Sequence, residues 1–290
     1  MSEPQPGARI VDRDANVNGI ILRCATWGTY ASPERTIVMV HGITANSRSF
    51  AACAPVLAAR GWYVIAPDLR GRGESAKPAH GYGIMYHVED VLALGDALGL
   101  TKFNLVGHSL GAQIVLFLAA LHPDRVSRLV LVDGGGKVPA DAYQAVAATL
   151  KRIGQVYPSL DAFLEERRQA PVYEWNPYWE EYFRYDVAVA ADGTASSRMP
   201  RHALEQEIGA NSLLRDDATA AMVRCPTLIV RAELGTLGPT AGLILPPEEA
   251  ERMRSIIADC QVVVIPGTNH YTVTLPPAFA EALAQFFGAA

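Results

Sequence analysis

Apolar residues fall in two rhythms along this chain. Short, near-continuous runs rich in Val, Ile and Leu recur at 20–26, 36–40, 62–66, 103–106, 128–132, 227–231 and 261–265. Runs of this kind mark strands buried on both faces, as in a parallel sheet covered by helices. Between them, apolar positions recur with helical spacing at 50–59, 85–98, 110–121, 247–257 and 277–287. The alternation predicts an α/β fold: a three-layer sandwich around a mainly parallel sheet. At the start, 8–11 and 20–26 have no helix between them, which predicts an antiparallel opening pair. The rhythm breaks between Asp133 and Thr227, where no strand pattern stands out. Amphipathic stretches occupy 140–156 and 160–168, and a dense aromatic segment fills 173–185. An insertion of this length usually carries function. It is expected to be a helical cap over the C-terminal edge of the sheet, where open α/β sheets bind ligands. The expected division is a core of 1–136 and 213–290 with a cap of 137–212.

Composition narrows the function classes. Half of the 290 residues are hydrophobic, enough buried surface to exclude intrinsic disorder. The net charge of −5 comes with no basic stripe, so no nucleic-acid partner is expected. The longest apolar runs, such as 114–121, fall short of the roughly 18 residues that span a bilayer, so no membrane partner is expected. The first fourteen residues are polar, with two prolines, and carry no secretory pattern. Cys24, Cys53, Cys225 and Cys260 are scattered, which reads as free thiols in a reducing, cytoplasmic setting. No histidine spacing suits a metal. Neither metal nor cofactor is expected, and a homo-oligomer is compatible with the composition.

The chemistry concentrates at three places. Gly107-His108-Ser109-Leu110-Gly111 lies between a predicted strand and a predicted helix. A serine on so tight a turn needs small neighbours two residues before and after, and the helix N-terminus favours negative charge developing beside it. His270 follows the last predicted strand, in Pro266-Gly267-Thr268-Asn269-His270. Serine is a weak nucleophile that needs such a base, titrating near neutrality. Asp133 ends the 128–132 strand ahead of three glycines, and Glu233 follows the 227–231 strand.

With these motifs the chain resembles the α/β-hydrolase superfamily over nearly its whole length outside the insertion. Val40-His41-Gly42-Ile43 looks like the family's oxyanion loop, and 68–75 like its turn after the next strand. The resemblance implies Ser109 as nucleophile, His270 as base, and an oxyanion hole from the backbone amides of Ile43 and Leu110. The family commonly carries its acid in Gly-x-x-Asp after the 227–231 strand. Here Gly235 stands at that place. Asp133 is the expected substitute, with Glu233 the alternative acid. A strand-end aspartate together with Val230-Arg231-Ala232-Glu233 and Asn269-His270-Tyr271 is similar to the enamide-cleaving hydrolases of vitamin B6 degradation. Candidate pocket residues are His41, His108, Arg231, Tyr271, Trp175 and Trp179. The resemblance implies a serine hydrolase without a cofactor, and a small carboxylic ester is the first expected substrate. Amides or enamides and the carbon–carbon bonds of meta-cleavage products are alternatives with the same triad. An inactive ligand receptor on the same fold is the non-enzyme alternative.

Overall fold

The computed structural model describes residues 9–211 and 216–288. In chain order the core carries β1 (Val11–Val17), β2 (Ile20–Trp27), β3 (Thr36–Val40), α1 (Ala54–Ala58), β4 (Tyr63–Pro67), α2 (Ile84–Ala97), β5 (Phe103–His108), α3 (Leu110–Leu121) and β6 (Val126–Val132). The insertion follows: α4 (Ala140–Leu150), β7 (Val156–Tyr157), α5 (Leu160–Arg168), α6 (Pro177–Asp186), β8 (Val187–Val189), β9 (Ala195–Ser197), α7 (Arg201–Asn211) and α8 (Asp216–Ala220). The core then closes with β10 (Thr227–Ala232), α9 (Pro247–Ile256), β11 (Cys260–Ile265) and α10 (Pro277–Phe287).

Among the described residues the main sheet has eight strands in the order β1-β2-β4-β3-β5-β6-β10-β11. β2 runs antiparallel to both neighbours, and every later pairing in this sheet is parallel. Side chains on a strand alternate between faces. Accordingly Val38 and Val40 of β3 join one buried cluster, with α2 and α3, while Ile37 and Met39 join the other, with α1 and α10. α3 lies almost wholly inside, which explains its nearly unbroken apolar sequence. No helix among the described residues is long and apolar enough to cross a membrane.

The order matters for the site. After β3 the chain moves to one side to make β4, then returns to make β5 on the other side. A reversal of this kind opens a crevice at the C-terminal ends of the two strands. It sets the loop after β3 (His41 to Ile43) beside the turn after β5 (Ser109).

Several expectations need correction. The opening strand was expected at 8–11, but β1 lies at Val11–Val17. Its side chains are mostly exposed, so its hydrogen-bond register with β2, rather than burial, defines it. Ala8 lies outside the described residues. The single helix expected at 50–59 is a 3-10 turn (Ser47–Phe50) followed by the short α1, with Pro55 at its first turn. The insertion is not wholly helical: β7, β9 and β8 form a small antiparallel sheet of their own. Strands of two or three residues are too short to leave a period-2 pattern. The expected boundary at 212/213 falls outside the described residues.

The insertion is tied to the turn after β4 by two polar contacts, one part-buried and one buried. Tyr185 of α6 donates its hydroxyl to Asp68 at 2.6 Å. Arg72 donates to Glu207 of α7 at 2.8 Å, and His87 of α2 meets the same carboxylate oxygen at 2.7 Å. Arg72, Glu207 and His87 are all at most 1% exposed. Burial would raise the Glu207 carboxyl, but its contacts with His87 and Arg72 outweigh that and hold it far below the usual carboxylate range. Arg72 also donates to the carbonyl of Ile43 at 3.0 Å, so the same side chain touches the insertion and the loop after β3.

Candidate active site

The turn after β5 is built by exclusion of side chains. A Cβ on Gly107 would lie 2.2 Å from the Gly111 carbonyl oxygen, and one on Gly111 would lie 2.0 Å from that of Val40. Nothing larger than hydrogen fits at either. Ser109 between them has φ +57° and ψ −118°, a sparsely populated region for a side chain-bearing residue. Such a conformation costs on the order of 1–3 kcal/mol and persists only where the surroundings over-determine it. Here the Ser109 amide donates to the Val132 carbonyl at 3.0 Å, and Gly42 and Gly134 pack against its other sides.

His270 Nε2 lies 3.0 Å from Ser109 Oγ, and His270 Nδ1 lies 2.8 Å from Asp133 Oδ2. Asp133 also has a positive φ, +42°, and its Oδ1 accepts from the Ala232 amide at 3.1 Å. One carboxylate oxygen is therefore fixed on the backbone of β10, leaving the other for His270. Asp133 and His270 are buried, whereas Ser109 is half-buried at the base of a cleft. A neutral His270 that donates through Nδ1 to Asp133 presents a bare Nε2 to the serine hydroxyl. That arrangement can take a proton from Ser109 and return it to a leaving group.

Glu233 does something else. It is exposed, and its carboxylate accepts from the Gly267 amide at 2.7 Å, bracing the loop that carries His270 from outside. The position after β10 is closed to an acid. A Cβ on Gly235 would lie 1.9 Å from the Ala241 carbonyl oxygen, because the chain turns back on itself over 235–242.

His41 and His108 support the site from below. His41 is fully buried, donates from Nδ1 to the Gly42 carbonyl at 2.8 Å and accepts at Nε2 from the Leu69 amide at 3.0 Å. Only a neutral ring satisfies both, and burial pushes its pKa down to about 4. His108 donates from Nε2 to the His270 carbonyl at 2.9 Å, with the two rings 4.7 Å apart. Burial, then the nearby His270, holds its pKa well below the usual histidine value.

Two cavities meet at Ser109, with Ile43 and Val146 common to both. The smaller, about 140 Å³, is lined by His270, His108, Tyr271, Trp179, Tyr182 and the two arginines Arg152 and Arg167, among others. The larger, about 390 Å³, lies on the side of Leu110 and Gly134. Of the candidate pocket residues, His108, Tyr271 and Trp179 line the smaller cavity. His41, Arg231 and Trp175 line neither. His41 is sealed beneath the loop, Arg231 is turned onto the carbonyl of Ala232, and Trp175 is stacked between Phe183 and Arg168. Sequence reasoning missed Arg152 and Arg167. Tyr178 and Tyr182 were visible in it only as part of the aromatic segment. Their spacing relative to Trp179 and Phe183 along α6 was the available signal. Asn176 caps that helix by accepting from the amides of Tyr178 and Trp179.

With this geometry in hand, comparison with known proteins places the chain. The sequence profile of the alpha/beta hydrolase fold matches residues 35–275. The chain belongs to that family. A 2-(acetamidomethylene)succinate hydrolase of Mesorhizobium japonicum is 31% identical over 257 residues, covering 87% of this chain and 88% of its own length. A candidate carbamate hydrolase of Caulobacter segnis is 25% identical over 274 residues, covering 93% and 97%. Among solved structures, that of E-2-(acetamidomethylene)succinate hydrolase superposes with a TM-score of 0.80 at 25% identity, covering 96% of this chain and 99% of the other. This α/β hydrolase thus has the expected fold class, and the loop after β3 and the serine turn both lie within the matched span.

Proposed function

We propose that this α/β hydrolase cleaves a small-molecule acyl bond through an acyl-enzyme on Ser109, with His270 as general base and acid and Asp133 as its orienting acid. The observation that carries the reading is the continuous pair of contacts Ser109–His270–Asp133 at 3.0 and 2.8 Å. In the first half, the Oγ–H proton passes to His270 Nε2 as Oγ bonds to the substrate carbonyl carbon. The oxyanion then faces the amides of Ile43 and Leu110, neither of which hydrogen-bonds to another described residue. The proton on Nε2 moves to the leaving group as its bond to carbon breaks. Water, deprotonated by the same nitrogen, releases the acid and restores Ser109.

The scissile bond of first choice is a carbon–nitrogen bond. Two relatives that cover most of the chain are named for enamide and carbamate cleavage. Two arginines, Arg152 and Arg167, also stand in the wall of the small cavity beside His270. An ester of the same acyl group is the second reading, favoured by the aromatic walls of that cavity. The insertion acts as the cap of this site, and four unpaired thiols support a cytoplasmic setting.

A fluorophosphonate should label the wild-type chain at Ser109 and not the Ser109→Ala variant. Matched amide, enamide, carbamate and ester substrates would then rank the bond type. Absence of any labelling of the folded wild-type chain would point to an inactive receptor.

A further inference from the structure

The two cavities at Ser109 are not equivalent, because only one of them is lined by His270. The tetrahedral carbon formed at Ser109 carries four groups: Oγ, the oxyanion, the leaving group and the acyl substituent. Nε2 must reach the leaving group to protonate it, so the leaving group lies on the His270 side. That side is the smaller cavity, about 140 Å³, with Arg152 and Arg167 in its wall. The acyl substituent is then directed the other way, past Ile43 and Leu110, into the larger cavity of about 390 Å³.

That larger cavity is walled mainly by aliphatic side chains. Among the described residues it is lined by Val138, Ala147, Leu150, Ile208 and Ile244, with Gln113 and Tyr143 as polar additions and no charged side chain. Val138, Tyr143 and Ile208 are 38%, 57% and 38% exposed, so apolar surface is left open around the cavity. Apolar side chains left in water around a concave site are a cost that an apolar occupant relieves. At about 390 Å³ against about 140 Å³, the larger cavity is the one with room for the bulkier of the two groups.

We infer that the larger cavity is the acyl pocket, and that the enzyme takes medium-length or branched aliphatic acyl groups joined to a leaving group compact enough for the smaller, aromatic-walled cavity. This rests on the serine hydrolase reading and extends it to a substrate class. It predicts a chain-length preference that is independent of whether the scissile bond is an amide or an ester.

Alkyl fluorophosphonates test it, since fluoride is a minimal leaving group and the alkyl chain is the variable. The second-order labelling rate of Ser109 should rise at least tenfold from the methyl to the hexyl probe. Ala147→Phe, which narrows only the larger cavity, should lower the hexyl rate at least tenfold and leave the methyl rate within about threefold. Ala170→Phe, in the wall of the smaller cavity alone, should leave the hexyl-to-methyl ratio unchanged. Equal wild-type rates for methyl and hexyl probes would overturn the inference, whether or not the variants fold. So would loss of the hexyl preference through Ala170→Phe rather than Ala147→Phe. If no probe labels the wild-type chain, the serine hydrolase reading itself has failed, which is a distinct result.

Discussion

Replacing Asp133 by asparagine tests the proposed triad at its most unusual member. The substitution is nearly isosteric, so the fold should persist. Its effect follows from what holds each oxygen. Asp133 Oδ1 accepts from the Ala232 amide at 3.1 Å, and Oδ2 faces His270 Nδ1 at 2.8 Å. An asparagine must keep its one oxygen on the Ala232 amide, since its NH₂ there would set two donors against each other. The NH₂ then points at Nδ1, which must become an acceptor and lose its proton. The ring's proton moves to Nε2, the nitrogen that has to be bare to receive the Ser109 proton. Forcing the wrong tautomer in a serine triad lowers turnover about ten-thousand-fold. That corresponds to about 5 kcal/mol of lost transition-state stabilisation. The assay is kcat for a substrate of the preferred acyl length, with the melting temperature measured beside it. Glu233→Gln is the matched control: it alters only an exposed contact with the Gly267 amide and should stay within about tenfold of wild type. If Asp133→Asn keeps more than a tenth of the wild-type kcat while Glu233→Gln loses it, the assignment of the acid is wrong.

Further outcomes concern stability. Arg72→Met leaves Glu207 charged and buried, and should cost about 3–5 kcal/mol in urea unfolding. The double variant Arg72→Met/Glu207→Leu removes both charges and should recover most of that loss; additive losses would show that the pair is not coupled. Asp186 is buried in the insertion, and burial raises its pKa from 3.8 to about 6. The folded state therefore binds the proton more tightly than the unfolded chain, and stability falls as pH rises from about 4 to about 6. Asp186→Asn should remove that slope and gain up to about 3 kcal/mol at pH 8; an unchanged slope would refute it. His41 has the opposite sense. Its pKa is depressed to about 4, so stability is lost as pH falls below about 6.5, and a buried-ring signal in NMR titration should stay neutral down to about pH 5.

The parts of this molecule legible in the sequence are those where burial writes a period. β3 and β5 are buried at every position, and α3 reads as helix because it joins that core. The elbow at Ser109 was legible because sterics demand glycine at 107 and 111, and the place of His270 beside it because the histidine follows the last strand, β11. Hidden were features fixed by hydrogen bonds alone. β1 shows few buried side chains, and the strands of the insertion are two or three residues long. The pocket was read only in part. Trp179 and Trp175 look alike in sequence, but a difference of four residues at the start of α6 turns one to the cavity and the other to Arg168. Arg152 and Arg167 had no motif at all, since a cavity wall is assembled from distant segments.

The closed loop at Gly235 has a historical consequence. With the Ala241 carbonyl occupying the space of a Cβ, an acid cannot be placed there by one substitution. The 235–242 turn would have to be rebuilt first, and under the proposed triad rebuilding it gains nothing while Asp133 holds His270. If Asp133 is the acid, as proposed, descendants of this chain are held to it by a ratchet of sterics rather than by chemistry. Grafting a conventional acid loop into this scaffold is accordingly a task of loop replacement, with the charge moved last.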